Sequence, residues 1–455
     1  MKGLKLIFLF LTKFALAQTL LSQAPNSPRD FEANAADTLP LQVEFLPEGS
    51  FFQDSVTVQL LAPGAKIYFT TDGSKPKPAP ELRYFKPIHL QKTAVIRALA
   101  VATDKSWSYI FSQTYFINEP ETTLPIVSLS IAPGRLFDPE TGLYMKGVNA
   151  IDTLWQLPGA NFWSRQETSC NLEFFETNGK CVVRSQAGLR LFGGMSRLFP
   201  QKSFALAARS QYGESRFRHP VFGKSGLKKY KHLVLRNSGS DFGKTHFRDG
   251  LLTHLVKDWD VDVQDYRPAH VYLNGKYWGI YNLREKVNRY FIAGHHHVDK
   301  DSLDLIEHQL TKRTGSTAHY RRLLSFLEKN SLASPQNFAW VNSQMEVNNF
   351  LDYQIAQIYF DNQDAGGNIK FWRPQTENGR WRWILYDADW GFGLYDQKAW
   401  RNNSLDFHTE PDGPTWPNPP WSTLLLRKLL ENKDFERRFV NRFADYLNSD
   451  LESQH

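Results

Sequence analysis

Hydrophobic and polar positions follow one rhythm in the first quarter of the chain and a different one afterwards. Residues 1–17, MKGLKLIFLFLTKFALA, put Lys2 and Lys5 ahead of an apolar stretch that ends in Ala15-Leu16-Ala17. This plan predicts a secretory signal peptide cleaved after Ala17, with an apolar run too short for a lasting bilayer span. Residues 18–40 hold Ser, Asn, Ala and Pro without period and read as a linker. From 41 to 118, short alternating runs (Val56, Val58, Leu60; Ile67–Thr71; Ala94–Val101; Phe111–Ile117) are separated by Gly, Pro and Asp turns. Strands at that spacing predict a small β-sandwich.

After Leu124 the strands lengthen and periods of 3.6 enter. The pattern predicts strands at 124–131 and 232–236, and a hairpin over 170–190. A second hairpin is expected at 269–283 around Asn274-Gly275. Helices are expected at 246–259, 316–330, 347–360, 424–430 and 435–447. A turn or cap is expected at Ser334–Asn337, and a long Asp/Asn/Pro/Trp-rich loop over 396–421. No later segment offers ~20 uninterrupted apolar residues, so no integral membrane segment is expected once the signal is removed.

Composition narrows the class. The chain has 455 residues, 41% hydrophobic and 14% aromatic, which is enough for two or three globular cores. Lys and Arg number 54 against 47 acids, a net charge of +7 without the basic run of a nucleic-acid arm. The two cysteines, Cys170 and Cys181, flank the turn Asn178-Gly179. A two-residue loop there sets Glu176 opposite Cys181 and Ala187 opposite Cys170, too far apart for a disulfide, so both thiols are expected free. His295-His296-His297 and His308 lack the spacing of zinc ligands and read as a polar loop.

The densest chemistry lies in residues 361–393, DNQDAGGNIKFWRPQTENGRWRWILYDADWGFG. A helix leads to a loop with Asp364 and Asn368; a hairpin then delivers Asp387 and Asp389 ahead of Gly391-Phe392-Gly393. Three acids and an amide at the ends of one hairpin suit phosphoryl transfer, which needs oxygen ligands for magnesium and a carboxylate that orients the attacking hydroxyl. Asp364 is the candidate carboxylate; Asn368 and Asp387 are candidate metal ligands, with Asp389 as a second or substitute one. A weaker motif, Gly193-Gly194-Met195-Ser196-Arg197 with Lys202 after it, offers backbone N–H groups and a point charge to phosphate.

NxDxxxN, KFW and RWRWILYDADWGFG together resemble the catalytic core of the CotH kinase family of atypical protein kinases, over roughly residues 122–447. The resemblance implies a protein-kinase-like fold of α+β class for 122–450, with Asp364 in the catalytic-loop role and Asp387 as the DFG-like metal ligand. ATP and Mg²⁺ or Mn²⁺ are the implied cofactors. Three residues separate Asp364 from Asn368, where protein kinases have four. The Gly-x-Ser-Arg and Pro-x-Lys-Ser-Phe segments imply Lys202 as the phosphate lysine, with Arg190, Ser196 and Arg197 as further phosphate contacts. The Glu usual on the following helix is missing, which leaves Asp249 as substitute partner or Arg248 on phosphate. The hinge that holds the nucleotide base is implied at Leu283 to Glu285. The family's chains also imply a C-terminal end beyond His455, so a partial chain is expected.

IYFTTDGSKP and VIRALAV, within 41–118, resemble the chitobiase/β-hexosaminidase C-terminal-like domain, an immunoglobulin-like accessory module. The whole chain is therefore expected to be multidomain: an all-β sandwich, then the kinase-like domain. Expected partners are a nucleotide, a protein with Ser or Thr hydroxyls and, through the module, a cell-surface glycan; nucleic acid is not expected. Export to the periplasm, cell surface or medium follows from the signal peptide. A non-catalytic surface scaffold is the alternative. A carboxylate-pair glycosidase would leave Asn368 and Lys202 without a role.

Overall fold

Along Val56–Leu61 buried and exposed side chains alternate one for one, as a strand with one face on a core requires. The computed structural model describes residues 41–223 and 226–452, so the expected signal peptide and linker lie outside the described residues. Strands β1 (Glu44–Leu46), β2 (Phe51–Phe52), β3 (Val56–Leu61), β4 (Ala65–Thr70), β5 (Ile88–Leu90), β6 (Ala94–Ala102) and β7 (Phe111–Ile117) form two sheets. Their orders are β1-β3-β5 and β2-β7-β6-β4. Phe45, Val58, Leu60, Ile96, Ala98 and Tyr115 share one core between the sheets, a β-rich sandwich.

The next unit is a barrel built from β8 (Ile126–Ser130), β9 (Thr168–Phe175), β10 (Cys181–Phe192), β11 (Ser203–Ala207), β12 (His232–Arg236), β14 (Tyr266–Leu273) and β15 (Lys276–Glu285). It closes in the order β10-β11-β12-β15-β14-β8-β9. Only β14 and β8 run parallel. The short helix α1 (Pro133–Phe137) follows β8, and α2 (Arg248–Leu255) lies between β12 and β14. Leu189, Leu191, Phe204, Leu206, Leu233, Leu235, Tyr281 and Leu283 point into the barrel core.

After β15 comes α3 (Arg289–His296), capped by Asn288, which accepts from the N–H groups of Tyr290 and Phe291. The remaining strands are β13 (Asp262–Val263), β16 (Leu303–Glu307), β17 (Thr311–Thr314), β18 (Lys370–Pro374) and β19 (Arg382–Leu385), a five-stranded sheet in the order β13-β19-β18-β16-β17. Around it pack α4 (Ala318–Lys329), α5 (Pro335–Gln344), α6 (Val347–Tyr359), α7 (Ser404–Thr409), α8 (Pro420–Leu430) and α9 (Lys433–Leu447). Helix α6 is buried on nearly every side, so its polar residues need partners. Asn349 finds them on the sheet, donating to Trp383 O (3.2 Å) and accepting from Trp383 N–H (2.6 Å). That clamp fixes the helix whose end leads into Asp364.

Several expectations need correcting. Ser334–Asn337, expected as a turn or cap, is a cap, with Ser334 accepting from Asn337 N–H; the helix of ten residues that it opens was not expected. The loop over 396–421 contains α7. Cys181 faces Phe175, not Glu176, because a register shift after Cys181 takes up one residue; Ala187 does face Cys170, and both thiols are free. The histidine run is no polar loop. His295 and His296 lie on α3, bonded to the buried acids Glu285 (2.9 Å) and Asp262 (3.0 Å).

Sandwich and barrel share buried surface. Phe116 of β7 packs edge-on against Phe175 and Tyr272 of the barrel. Glu173, buried on β9, accepts from Thr114 N–H (2.8 Å), Thr114 Oγ1–H (2.6 Å) and Arg184 Nε–H (3.1 Å). Arg97, on β6, donates to Asn171 Oδ1 (3.3 Å) of β9.

Removing the Phe116 ring by Phe116→Ala should therefore destabilise the whole chain by about 3–5 kcal/mol, read as a lower midpoint in urea denaturation. A second expectation concerns His295. Burial lowers its pKa, but the Glu285 carboxylate, helped by Asp265 and Asp262, outweighs burial and raises it above 6.5. Its contribution to stability is full below pH 6.5 and fades as pH rises through the folded value. The stability gap between the native chain and His295→Gln should accordingly be larger at pH 6 than at pH 8.

Candidate active site

Parity along β12 decides which cation reaches the acids. Leu233 and Leu235 point into the barrel core, so Arg236 ends the strand on the opposite face, towards the helical sheet. There its Nη2 donates to Asp387 Oδ1 and to Asp389 Oδ2 (2.7 Å). Its Nε lies 3.9 Å from Asp249 of α2. Burial would lower the Arg236 pKa, yet Asp387, Asp249 and Asp389 drive it well above the usual guanidinium value.

The loop after β12 is shaped around this contact. A Cβ on Gly239 would stand 2.3 Å from Asp389 Oδ2 and 2.4 Å from Arg236 Nη2, and φ is +59°, so both space and backbone require glycine. Ser240 N–H then reaches Asp389 Oδ2 at 2.8 Å, and Ser240 Oγ accepts from Trp390 Nε1–H at 2.8 Å. Asp249 completes the network. It accepts from Arg284 Nη1 (2.5 Å) and from Ala388 N–H (2.9 Å), between Asp387 and Asp389. Burial alone would raise its pKa, but Arg284 and Arg236 hold it below the ordinary value.

On the other side of the site stand Asp364 and Asn368. Asn368 Nδ2 donates to Asp364 Oδ2 (2.7 Å) and to Asp387 O (3.4 Å), joining the loop to the end of the hairpin. Asp364 Oδ1 is buried and has no partner at full hydrogen-bond geometry among the described residues, although the Trp416 indole N–H lies close enough to pull the acid's pKa down. Burial first, then the charges of Asp387 and Asp389, push Asp364 well above the carboxylate range. Asp389 is pushed up to about 7 by burial, against the pull of Arg236. Asp387 is one-third exposed, the most open of the acids bonded to Arg236. The expected quartet Asp364, Asn368, Asp387 and Asp389 is thus brought together by the fold.

The expected phosphate residues are not. Phe204 and Leu206 face the barrel core, so Lys202, two residues before Phe204, falls on that same side. Its Nζ donates to Arg197 O (2.6 Å) and Phe199 O (3.0 Å) and lies over the rings of Phe162 and Tyr144, which corrects its assignment to phosphate. Arg197 is likewise engaged, donating to Gly193, Phe162, Ser164 and Leu191 carbonyls. Ser196 stays near the site through Asn237, whose Nδ2 donates to Ser196 O (3.2 Å) and Gln201 O (2.6 Å). Arg190 lies on the outward face of β10 opposite Ala205 and makes no hydrogen bond or ion pair among the described residues.

The hinge expectation also needs correction. Leu283 is a barrel-core side chain whose backbone is paired with Leu235 on one side and Arg267 on the other. Glu285 ends β15, and its carboxylate accepts from His295 Nε2 and Asp265 N–H (3.2 Å). Neither has a free group to offer a ligand; the strand leaves the barrel after Glu285. Of the two readings left open for α2, Asp249 pairs with arginines, and Arg248 Nη1 donates to the carbonyls of Gly391 and Phe392 at 3.0 Å. Arg236, Gly239 and Ser240 were missed as site residues. The signal was there in HLVLR: with Leu233 and Leu235 inward, the arginine just before Asn237-Ser238-Gly239 had to face out.

Two families match the chain. Residues 46–112 match the chitobiase/beta-hexosaminidase C-terminal domain. Residues 189–455, which include every group of the acid cluster, match the CotH kinase protein family. No curated protein matches. With more than half of its length covered by that match, the chain belongs to the CotH kinase protein family.

Proposed function

We propose that this chain is a metal-dependent protein kinase of protein-kinase-like fold that transfers the γ-phosphoryl group of ATP to a Ser or Thr hydroxyl of an exported or surface protein. Charge balance at the join of barrel and helical sheet carries this reading. Four carboxylates, Asp249, Asp364, Asp387 and Asp389, meet two guanidiniums, Arg236 and Arg284. Lys370, beside Asp387, is already matched by Glu307 at 3.4 Å. Were all four ionised, the surplus of two negative charges would match one hard divalent cation such as Mg²⁺ or Mn²⁺; without such a cation the crowding raises the pKa of Asp364 and Asp389 instead.

The residues present fit such an ion. Asn368 turns its amide nitrogen to Asp364 and keeps its oxygen for a ligand role, and Asp387 has one carboxylate oxygen on Arg236 and the other free. These two would hold the metal, while Asp389, engaged by Arg236 and Ser240, is the lesser candidate. When bound, the ion neutralises charge developing on the transferred phosphoryl group.

Topology supports the same reading. β10-β11-β12-β15-β14 are adjacent in that order, and α2 follows the third of them. Protein kinases carry the phosphate-binding cation on the third strand and pair it with an acid of the next helix. Arg236 and Asp249 occupy those positions here. An arginine cannot lose its charge when buried and can bind two oxygens at once, so it can serve phosphate and carboxylate together. Asp364 would orient the acceptor hydroxyl through Oδ1 and take its proton, with Oδ2 held by Asn368.

One observation favours the alternative of a non-catalytic surface scaffold: Arg236 lies on both Asp387 and Asp389, as a structural ion pair would. Two measurements separate the readings. Asp364→Asn should lower phosphotransfer to a Ser/Thr protein at least about 100-fold while leaving ATP affinity within a few-fold; unchanged turnover would remove Asp364 from the mechanism. ATP with Mg²⁺ at a hundred times its dissociation constant should stabilise the native chain by about 2.7 kcal/mol in thermal denaturation, and a flat melting temperature would favour the scaffold.

A further inference from the structure

Away from the acid cluster, where the stretch between β11 and β12 folds against the start of α3, lies a cavity of about 180 Å³. Five cations line it, Arg216, Lys229, Lys231, Lys286 and Lys300, against one carboxylate, Glu285, which His295 already engages. Lys286 and Lys229 make no hydrogen bond or ion pair among the described residues. Arg216 donates to Ser215 O (2.9 Å) and rests over the Tyr290 ring, while Lys231 reaches the same carbonyl only at 3.4 Å. Lys300 is held by Asp301.

Tyr230 also lines the cavity, but burial and the carboxylates of Glu285 and Asp265 push its pKa up, so its hydroxyl belongs to the acidic edge and not to the cations. Like charges gathered round one hollow repel. Burial, followed by Arg190, Lys370 and Arg209, lowers Lys286 to about 8, the mark of a cation lacking its counter-charge. A bound dianion would relieve that repulsion.

We propose that this cavity is an anion site, separate from the acid cluster, that takes a phosphate dianion, free or as a small phosphomonoester. Lys286, Lys231 and Arg216 supply charge-assisted hydrogen bonds. The Tyr290 ring offers a face for the few carbons of an ester. Size sets the class: pockets for drug-sized ligands run to about 300–1,000 Å³, so a nucleoside triphosphate exceeds this space.

The test is calorimetric titration of the full chain with inorganic phosphate, then with glycerol phosphate, at low ionic strength. Each should bind one equivalent; tighter binding of the ester assigns the Tyr290 face to its carbons, and equal binding assigns the site to the phosphate group alone. Lys286→Ala and Lys231→Ala should each weaken binding at least about tenfold. Lys66→Ala and Lys433→Ala, exposed cations far from the cavity, should leave it unchanged. Circular dichroism checks that each variant folds. No binding by the native chain, or binding unchanged in both Lys231→Ala and Lys286→Ala, overturns the proposal.

Discussion

The contact between Arg236 and the two aspartates of the DAD segment joins the halves of the larger domain. Arg236 is anchored in the barrel by β12, Asp387 and Asp389 in the helical sheet by β19, and each partner is costly to bury alone. Neither half can shift against the other without exposing an unpaired charge to a poorly solvated space. Asp249 and Arg284 extend the same logic one layer further, since Asp249 holds both Arg284 and the N–H of Ala388. The backbone between the two site aspartates is thereby hydrogen-bonded to a helix of the opposite half. Charge pairs across the join hold the candidate site in register.

Strand parity separates what was legible in the sequence from what was not. The strand over 232–236 and the hairpin about Asn274-Gly275 could be read because turn chemistry and alternation agree with the fold. Asp364, Asn368, Asp387 and Asp389 could be read because a single hairpin carries all four, so only local connectivity had to be right. Lys202 failed for the opposite reason. Its assignment needed the face of β11, and the run Lys202-Ser203-Phe204-Ala205-Leu206 decides that face only once Phe204 and Leu206 are known to point inward. The hinge failed similarly, because nothing local to Leu283-Arg284-Glu285 reveals that His295, ten residues on, closes over Glu285. Long-range pairings of buried charge are invisible to periodicity.

The sandwich also bears on the site through its seat on the barrel. Glu173 and Asn171 of β9 bond to β7 and β6, and β9 in turn pairs with β10, which carries Arg190 on the strand leading into the Gly193–Leu198 loop. The Asn274-Gly275 turn presses on the module too: a Cβ at Gly275 would stand 2.9 Å from Ala94 Cα, and one at Gly73 would stand 2.2 Å from Asn274 Cγ. Asn274 meanwhile bonds Ile131 on both N–H and C=O. An interface of this kind, with glycines at its points of closest approach and Glu173 fully buried, behaves as part of one core and not as a flexible tether.

Electrostatics then explains why Asp364 differs from its neighbours. Asp387 and Asp389 share a guanidinium, and Asp249 has two within reach, but no cation lies among the direct partners of Asp364. Burial and two nearby carboxylates therefore push its pKa upward and favour the proton, as happens between crowded acids. Asn368 bonds one oxygen and the Trp416 indole lies beside the acid, so it is oriented but not neutralised. Positive charge brought up to Asp387 would weaken the repulsion that holds this proton, which makes the ionisation of Asp364 depend on what occupies the neighbouring oxygens. A carboxylate so placed has a proton affinity set by its neighbours' charge, which follows from the spacing of four side chains and from the arginine that the other acids share.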